Sequence, residues 1–353
     1  MNTFFPNSMS KVQYEPSDGK VIIVTRTKDR PILLARAFAS VLSQTYQNWH
    51  LSVVNDGGDP EPVDKLLNQY LASFKGRVSV KHHPASLGME AASNSALDGM
   101  EGEFVIIHDD DDAWQPSFLS ETVAYLKKEE NRKFAAVATN CTVVMEEIAD
   151  NKVIEHERMT WSFWRERVDF LDQLRGNNFP PICLLIRMSV VKSIGGYNEF
   201  LPVLGDWDYN LRILLAGDIG TINKPLAYYH HRRPTNNTSG YGNSVISGHN
   251  KHLDYQVLYR NGMLRTLLAK EPGYAGLIHV LLVRIESLEN MLNNKLNAMH
   301  WDINHQDGLG QDDLRNQLIP LINTINKVLR PLRWGWRKLL PLRVQVARLR
   351  QRI

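Results

Sequence analysis

The first third of the chain alternates between two kinds of segment, and this alternation constrains the fold more than any other feature. "KVIIVT" (20–25), "HLSVVND" (50–56), "RVSVKH" (77–82) and "EFVIIHD" (103–109) are short runs rich in β-branched and apolar residues, the pattern of buried strands. Helical segments lie between them. "RPILLARAFASVLSQT" (30–45) has a proline near its start and apolar residues at helical spacing, and further helices are predicted near 62–74 and after Gly88. Strand–helix alternation predicts an α/β fold, a mostly parallel sheet flanked by helices. Such sheets bind ligands at the carboxyl ends of their strands. Thr25-Arg26-Thr27, Asn55-Asp56 and the run Asp109 to Asp112 each follow a predicted strand end. Topology should gather them on one edge of the sheet although they lie far apart in sequence.

Beyond this, "FAAVATNCTVVM" (134–145), "PICLLIR" (181–187) and "KPLAYYHH" (224–231) read as strands, and "LGDWDYNLRILLAG" (204–217) as a helix opened by acids. In "IIHDDDDAWQP" (106–116), "AWQP" reads as the start of a helix. A polar loop follows at 232–244, and from about residue 245 the pattern is helical only. "WDINHQDGLGQDD" (301–313) reads as a loop, with another helix at about 314–330. The organisation expected is an N-terminal extension (1–17), an α/β domain (18–240), a helical region (241–325) and a basic amphipathic tail (326–353).

The chain has 353 residues, 43% hydrophobic and 22% charged, enough for one large domain and a smaller one. No stretch approaches the ~20 apolar residues of a membrane span. The N-terminus lacks the apolar core of a signal peptide. Cys141 and Cys183 fit no metal spacing and read as buried thiols in a reducing compartment. The expected location is cytoplasmic, with any membrane contact peripheral. Net charge is only +3, but no acid follows Asp313 while arginines and lysines continue to Arg352. With Trp334 and Trp336 among these cations, the tail suits an anionic membrane surface at the inner face of the cell membrane. The other reading of the tail is a solvated or partner-docking helix, and the C-terminal helices could serve an oligomer. No nucleic-acid motif accompanies the charge.

Four consecutive aspartates repel one another. As a surface loop they would simply be solvated. At a strand's carboxyl end, two aspartates one residue apart can instead share a hard cation, Mn²⁺ or Mg²⁺, that leaves positions open for phosphate oxygens. Asp206 and Asp208 in "GDWDYNLR" have two readings as well: acids at a helix start, or a carboxylate projecting into the cleft as general base. His230 and His231 end a strand near the cleft and read as an ordinary polar strand end. Trp161, Trp164 and Trp207 read as sugar-stacking or as core.

These residues resemble the family-2 glycosyltransferases, whose fold is the GT-A type. The resemblance runs over about residues 18–240 and rests on "VIIVTRTKDRPILLARAFASVLSQTYQNWHLSVVNDGG", "IIHDDDDAWQPSFL" and "IGGYNEFLPVLGDWDYNLRIL", in the family's order and at similar spacing. It implies an inverting sugar transfer, hexosyl or deoxyhexosyl, from a UDP or dTDP donor to a glycan or lipid-linked glycan in bacterial surface polysaccharide or lipopolysaccharide synthesis. The family's Asp-x-Asp motif falls on Asp109-Asp110-Asp111, with Asp112 adjacent, so the register is ambiguous by one. The nucleotide pocket maps to Thr25, Arg26, Thr27, Arg30, Asn55 and Asp56, with Gly88 allowing close approach. The resemblance makes Asp206 the base, Asp208 a supporting residue, and Asp109, Asp111, Asp112 and His231 the candidate metal ligands. The family usually carries Glu-Asp where this chain has Gly205-Asp206. A nucleotidyltransferase would show a glycine-rich basic loop after the first strand, and "TRTKDRP" has no glycine. A dinucleotide-dependent oxidoreductase would need Gly-x-Gly-x-x-Gly there. A non-catalytic carbohydrate-binding or scaffold protein stays open.

Overall fold

The computed structural model describes residues 17–149, 152–232 and 249–305. The N-terminal extension up to residue 16, the rest of the polar loop, the helix expected at 314–330 and the basic tail lie outside the described residues. The chain forms two compact units, Met1–Leu258 and Tyr259–Ile353.

The first unit is built on a sheet whose strand order starts β3-β2-β1-β4. The strands are β1 (Val21–Thr27), β2 (Trp49–Asp56), β3 (Val78–His83) and β4 (Phe104–Ile107), all parallel. Strand β1 lies at the centre, and Val21, Ile22, Ile23 and Val24 are each 0% exposed. A strand covered on both faces needs an unbroken apolar run, and that is why this one does not alternate. Each such side chain contributes roughly 1.5–3 kcal/mol by leaving water.

Helix α1 (Pro31–Leu42) packs Leu34, Phe38 and Val41 into the core. Helix α2 (Pro60–Phe74) starts two residues before its predicted position. Asp59 caps it by accepting the Glu61 N–H at 3.0 Å, and Pro60 takes the first turn. Helix α3 (Met89–Leu97) follows Gly88, whose φ of +100° favours glycine.

The second half of the sheet is mixed. After β4 comes the two-residue β5 (Ala113–Trp114), then helix α4 (Phe118–Lys127), so "AWQP" leads to its helix through a short strand. Strands β6 (Phe134–Ala149) and β7 (Lys152–Thr160) form an antiparallel hairpin. Strand β7 is exposed throughout and largely polar, so apolar periodicity gave no sign of it. A short helix α5 (Phe170–Arg175), strand β8 (Leu184–Arg187), and helices α6 (Met188–Ile194) and α7 (Gly205–Ala216) follow. Strand β9 (Asp218–Arg232) then runs parallel to β6. Strand β8 sits antiparallel between β4 and β6, which joins the halves, and β5 pairs with β9 through Ala113↔Tyr228. The loop of acids is thereby tied to the last strand of the sheet. Both cysteines are free and buried.

The described part of the chain ends in two helices, α8 (His249–Lys270) and α9 (Tyr274–His305). Helix α9 runs into the segment read as a loop, because no glycine or proline occurs between Leu277 and Asp307. Among the described residues, no helix is long and apolar enough to cross a membrane.

Candidate active site

The carboxyl ends of β1, β2 and β4 meet the start of α3 around a cavity of about 270 Å³ lined by Arg26, Thr27, Arg30, Asp56, Gly88 and Asp109 to Asp112. The acids do not face one another unscreened. Arg26 Nε donates to Asp109 Oδ1 at 3.0 Å, and Thr27 Oγ1 donates to Asp110 Oδ2 at 2.8 Å. Arg30 Nη1 lies 3.5 Å from Asp110 Oδ1 and 3.9 Å from Asp111 Oδ2. From the end of β9, Arg232 pairs with both Asp111 and Glu146, the latter at 2.5 Å. Arg36 on α1 donates to Glu146 Oε2 at 2.7 Å and to the Asp111 carbonyl. Even so, burial pushes the Asp110 carboxyl up to about 7, with Asp111 and Asp109 adding to it against Arg30 and Thr27. Burial, Asp111 and Asp109 likewise hold the Asp112 carboxyl well above the usual range.

Asp56 reaches the cavity's rim by bracing it. Its carboxylate accepts His83 Nδ1 (2.8 Å), Ser86 Oγ (2.7 Å), Leu87 N–H (2.8 Å) and Gly88 N–H (3.0 Å). Burial works against the charged form, but these donors outweigh it and depress the acid. Two residues expected to line the nucleotide pocket do not line this cavity. Thr25 is 0% exposed, and its hydroxyl meets no partner among the described residues. Asn55 is also fully buried and donates to Gly58 O at 2.9 Å, holding the turn after β2.

Two further cavities adjoin the first. One of about 90 Å³ shares Arg26, Met89, Asp109 and Tyr229 with it and adds Glu90, Tyr197 and Asp206. The next, about 450 Å³, shares Asp206, Leu204, Tyr229 and His252 with the second and has Trp161 and Phe163 on its wall. Asp206 therefore stands between the second and third spaces, and Tyr229 borders all three. Asp206 Oδ2 accepts Asn177 Nδ2 at 2.7 Å, and Oδ1 accepts the Trp207 N–H at 2.8 Å. Burial raises its pKa against the Trp207 amide and Arg26, which makes it a stronger base than a solvated aspartate. Leu204, just before α7, has φ +68°, a conformation unfavourable for a branched residue.

The remaining expected residues are also placed. Asp208 is turned along α7, where its Oδ2 accepts Arg212 Nε at 2.8 Å. Asp112 Oδ1 accepts the His230 N–H at 2.9 Å, binding the acid loop to β9. His231 Nε2 is buried without a hydrogen-bond partner among the described residues, and Asp111 acts on its ring electrostatically. Burial, with Arg232 adding to it and Asp111 opposing, keeps that imidazole neutral to lower pH than usual. Trp161 lines the third cavity with its ring 5.1 Å from Phe163 and 5.7 Å from Tyr229. Trp207 is 2% exposed and donates to Gln173 O at 2.6 Å, and Trp164 packs against the core.

Sequence reasoning missed Glu90, Arg36, Glu146, Tyr229, Arg232 and His252. Glu90 carried a usable signal, since it is the one acid in the small-residue segment "GMEAASNSAL". Arg36 and Glu146 carried none, because they meet across the sheet from elements 110 positions apart.

Residues 20–195 match the family described as glycosyl transferase family 2. The chain belongs to this family through its first unit, and its mixed α/β sheet is of the GT-A type. An Escherichia coli K12 protein named for glycosyl transfer in colanic acid biosynthesis, WcaA, is 33% identical over 106 residues, 30% of this chain and 37% of that one. The succinoglycan biosynthesis protein ExoW of Rhizobium meliloti is 31% identical over 100 residues, 28% of this chain and 31% of that one. The chain thus spans less than half the length of these relatives. The crystal structure of S. aureus TarS 1–349 in complex with UDP-GlcNAc superposes with a TM-score of 0.49 at 18% identity, over 63% of this chain and 61% of that one. Asp206 lies beyond the span of the family match.

Proposed function

We propose that the site transfers a glycosyl group, with inversion, from a nucleotide-diphosphate sugar to a hydroxyl of a glycan or lipid-linked glycan in polysaccharide synthesis. The observation that carries this reading is the order of the three cavities, with Asp206 between the second and the third. The first suits a nucleotide diphosphate such as UDP or dTDP, because Arg26, Lys28 and Arg30 line it. The second has room for part of a sugar ring beside Asp109. The third offers an aromatic wall to an acceptor.

In this reading Asp206 accepts the proton of the acceptor hydroxyl as that oxygen attacks the anomeric carbon from the face opposite the diphosphate. The raised basicity of a buried carboxylate suits the task. Asn177 and the Trp207 amide hold the carboxylate in position. Arg26 and Arg30 are placed to receive negative charge as the bond to the diphosphate breaks.

A divalent ion fits the same residues. Asp109 and Asp111 supply hard oxygens, and His231 Nε2 is an orphaned buried nitrogen next to Asp111. That donor set suits Mn²⁺ or Mg²⁺. Among the described residues, no group of three or more such side chains is already gathered as a closed metal site. When bound, the ion would neutralise charge on the leaving diphosphate. Asp112 stays with His230 and ties the loop in place.

A nucleotidyltransferase would not need a base between a sugar space and an aromatic-walled space. The test is Asp206→Asn. Nucleotide affinity should stay within about twofold while transfer falls roughly 100-fold or more. Full transfer by this variant would remove Asp206 as base. Nucleotide-sugar binding with no transfer or hydrolysis by the wild type would leave a carbohydrate-binding protein.

A further inference from the structure

The residue before the base is Gly205, and the space its missing side chain leaves is filled. A Cβ built there would stand 2.5 Å from Glu90 Cγ and 2.6 Å from Glu90 Cδ. No backbone requirement explains the glycine, since Gly205 is the first residue of α7 and does not have a positive φ. Its absent side chain makes room for Glu90, which reaches across from the first turn of α3.

Glu90 is 5% exposed, and no side chain among the described residues donates a hydrogen bond to its carboxylate. Its own backbone amide is the hydrogen-bond donor acting on it. The carboxylate opens on a cavity, where water or a bound ligand can supply the donors that the protein does not. The group lines the second cavity with Arg26, Asp109 and Asp206. Burial pushes its pKa up to about 7, with Arg26 opposing and Asp206 and Asp109 adding to it.

We propose that Glu90 is a specificity-determining residue that accepts hydrogen bonds from hydroxyl groups of the donor sugar, and that Gly205 exists to seat it. The inference rests on the function proposed above and refines it. A carboxylate has two acceptor oxygens and can take a pair of neighbouring hydroxyls, so Glu90 favours a fully hydroxylated sugar over a deoxy sugar at the positions it meets.

The test uses the full chain with Mn²⁺ in calorimetry. Wild type is titrated with UDP, dTDP, UDP-glucose, UDP-galactose, UDP-N-acetylglucosamine and dTDP-rhamnose, and the tightest nucleotide-sugar is compared with its parent nucleotide. Glu90→Ala should weaken the nucleotide-sugar roughly 10-fold or more, the scale of a charge-assisted hydrogen bond, and leave the nucleotide within about twofold. Glu90→Gln keeps the shape and one acceptor, so it should lose less. Gly205→Glu alone should also lose sugar affinity, because the new side chain collides with Glu90. The double variant Glu90→Ala, Gly205→Glu should regain part of it by returning a carboxylate from the other side. Equal losses for nucleotide and nucleotide-sugar in both Glu90 variants would reduce Glu90 to a packing role and overturn the inference. No recovery in a double variant that unfolds at the wild-type temperature would also overturn it. If the wild type binds none of the six compounds, the function proposed above falls, and this inference with it.

Discussion

Arg232→Met is the perturbation whose size can be worked most directly from the structure. The Arg232 side chain is 2% exposed and joins Asp111 to Glu146, itself 2% exposed. Methionine fills much of the same volume without the charge. Glu146 would then keep Arg36 at 2.7 Å, and Asp111 would lose its close guanidinium while Arg30 stays at 3.9 Å. Removing one partner of a buried ion pair costs about 3–5 kcal/mol, chiefly because the other charge is left desolvated. At roughly 2–4 °C per kcal/mol for a unit of this size, the unfolding midpoint should fall by about 6–20 °C. Thermal unfolding followed by tryptophan fluorescence reads this out, since Trp49 and Trp114 are buried in the same unit. Glu146→Leu combined with Arg232→Met should recover part of the loss, giving a coupling of at least about 1 kcal/mol in a double-mutant cycle. A midpoint for Arg232→Met within 2 °C of wild type, or strictly additive effects in the cycle, would refute the view that this arginine neutralises the acid loop.

Two further outcomes follow from the same geometry. Asp109→Asn and Asp111→Asn should each weaken the dependence of nucleotide binding on Mn²⁺ in calorimetry, and identical Mn²⁺ dependence in both variants and wild type would exclude these residues as ligands. Asp56→Asn should destabilise the unit by about 1.5–3 kcal/mol at pH 7, the worth of hydrogen bonds to a charged acceptor. Asp56 is depressed in the folded protein, so its contribution is complete above the unfolded value of about 3.9 and is lost as pH falls through the folded one. The gap in stability between wild type and variant should therefore shrink at low pH, and a gap of equal size at pH 7 and pH 3 would contradict this account.

The parallel half of the sheet was legible because each of its strands is a continuous apolar run ending in turn residues, and topology alone then gathered Arg26, Asp56 and Asp109 on one edge. Strand β7 was illegible because it is exposed and pairs through its backbone. Strand β9 was read only from Lys224, since "DIGTIN" before it is not a sustained apolar run. The acid run was conspicuous, but the cations that hold it were not. Arg232 follows a strand end and Arg36 lies inside an apolar helix, and only the three-dimensional pairing shows that both serve one carboxylate. Thr25 and Asn55 show the converse relation between position and exposure. Position at a strand end put them near the site, and burial in the interior took them away from the cavity. Glu90 became meaningful only beside Gly205, a relation between two helices that spacing along the chain does not encode.

Strand β9 has a consequence for how such a site can change over generations. Its last residues alternate between two tasks. Tyr229 and His231 lie on one side, with rings 4.4 Å apart, while His230 and Arg232 both approach Glu146. Side chains along a strand change face at every residue, so gaining or losing a single codon upstream in β9 would exchange the two sets. The imidazole would go to the ion-pair side and the guanidinium to the cavity. Point substitutions can retune the site one group at a time, but a frame-preserving indel in this strand dismantles it at once. Length variation among descendants of this gene should therefore gather outside β9, and diversity within the strand should take the form of substitution.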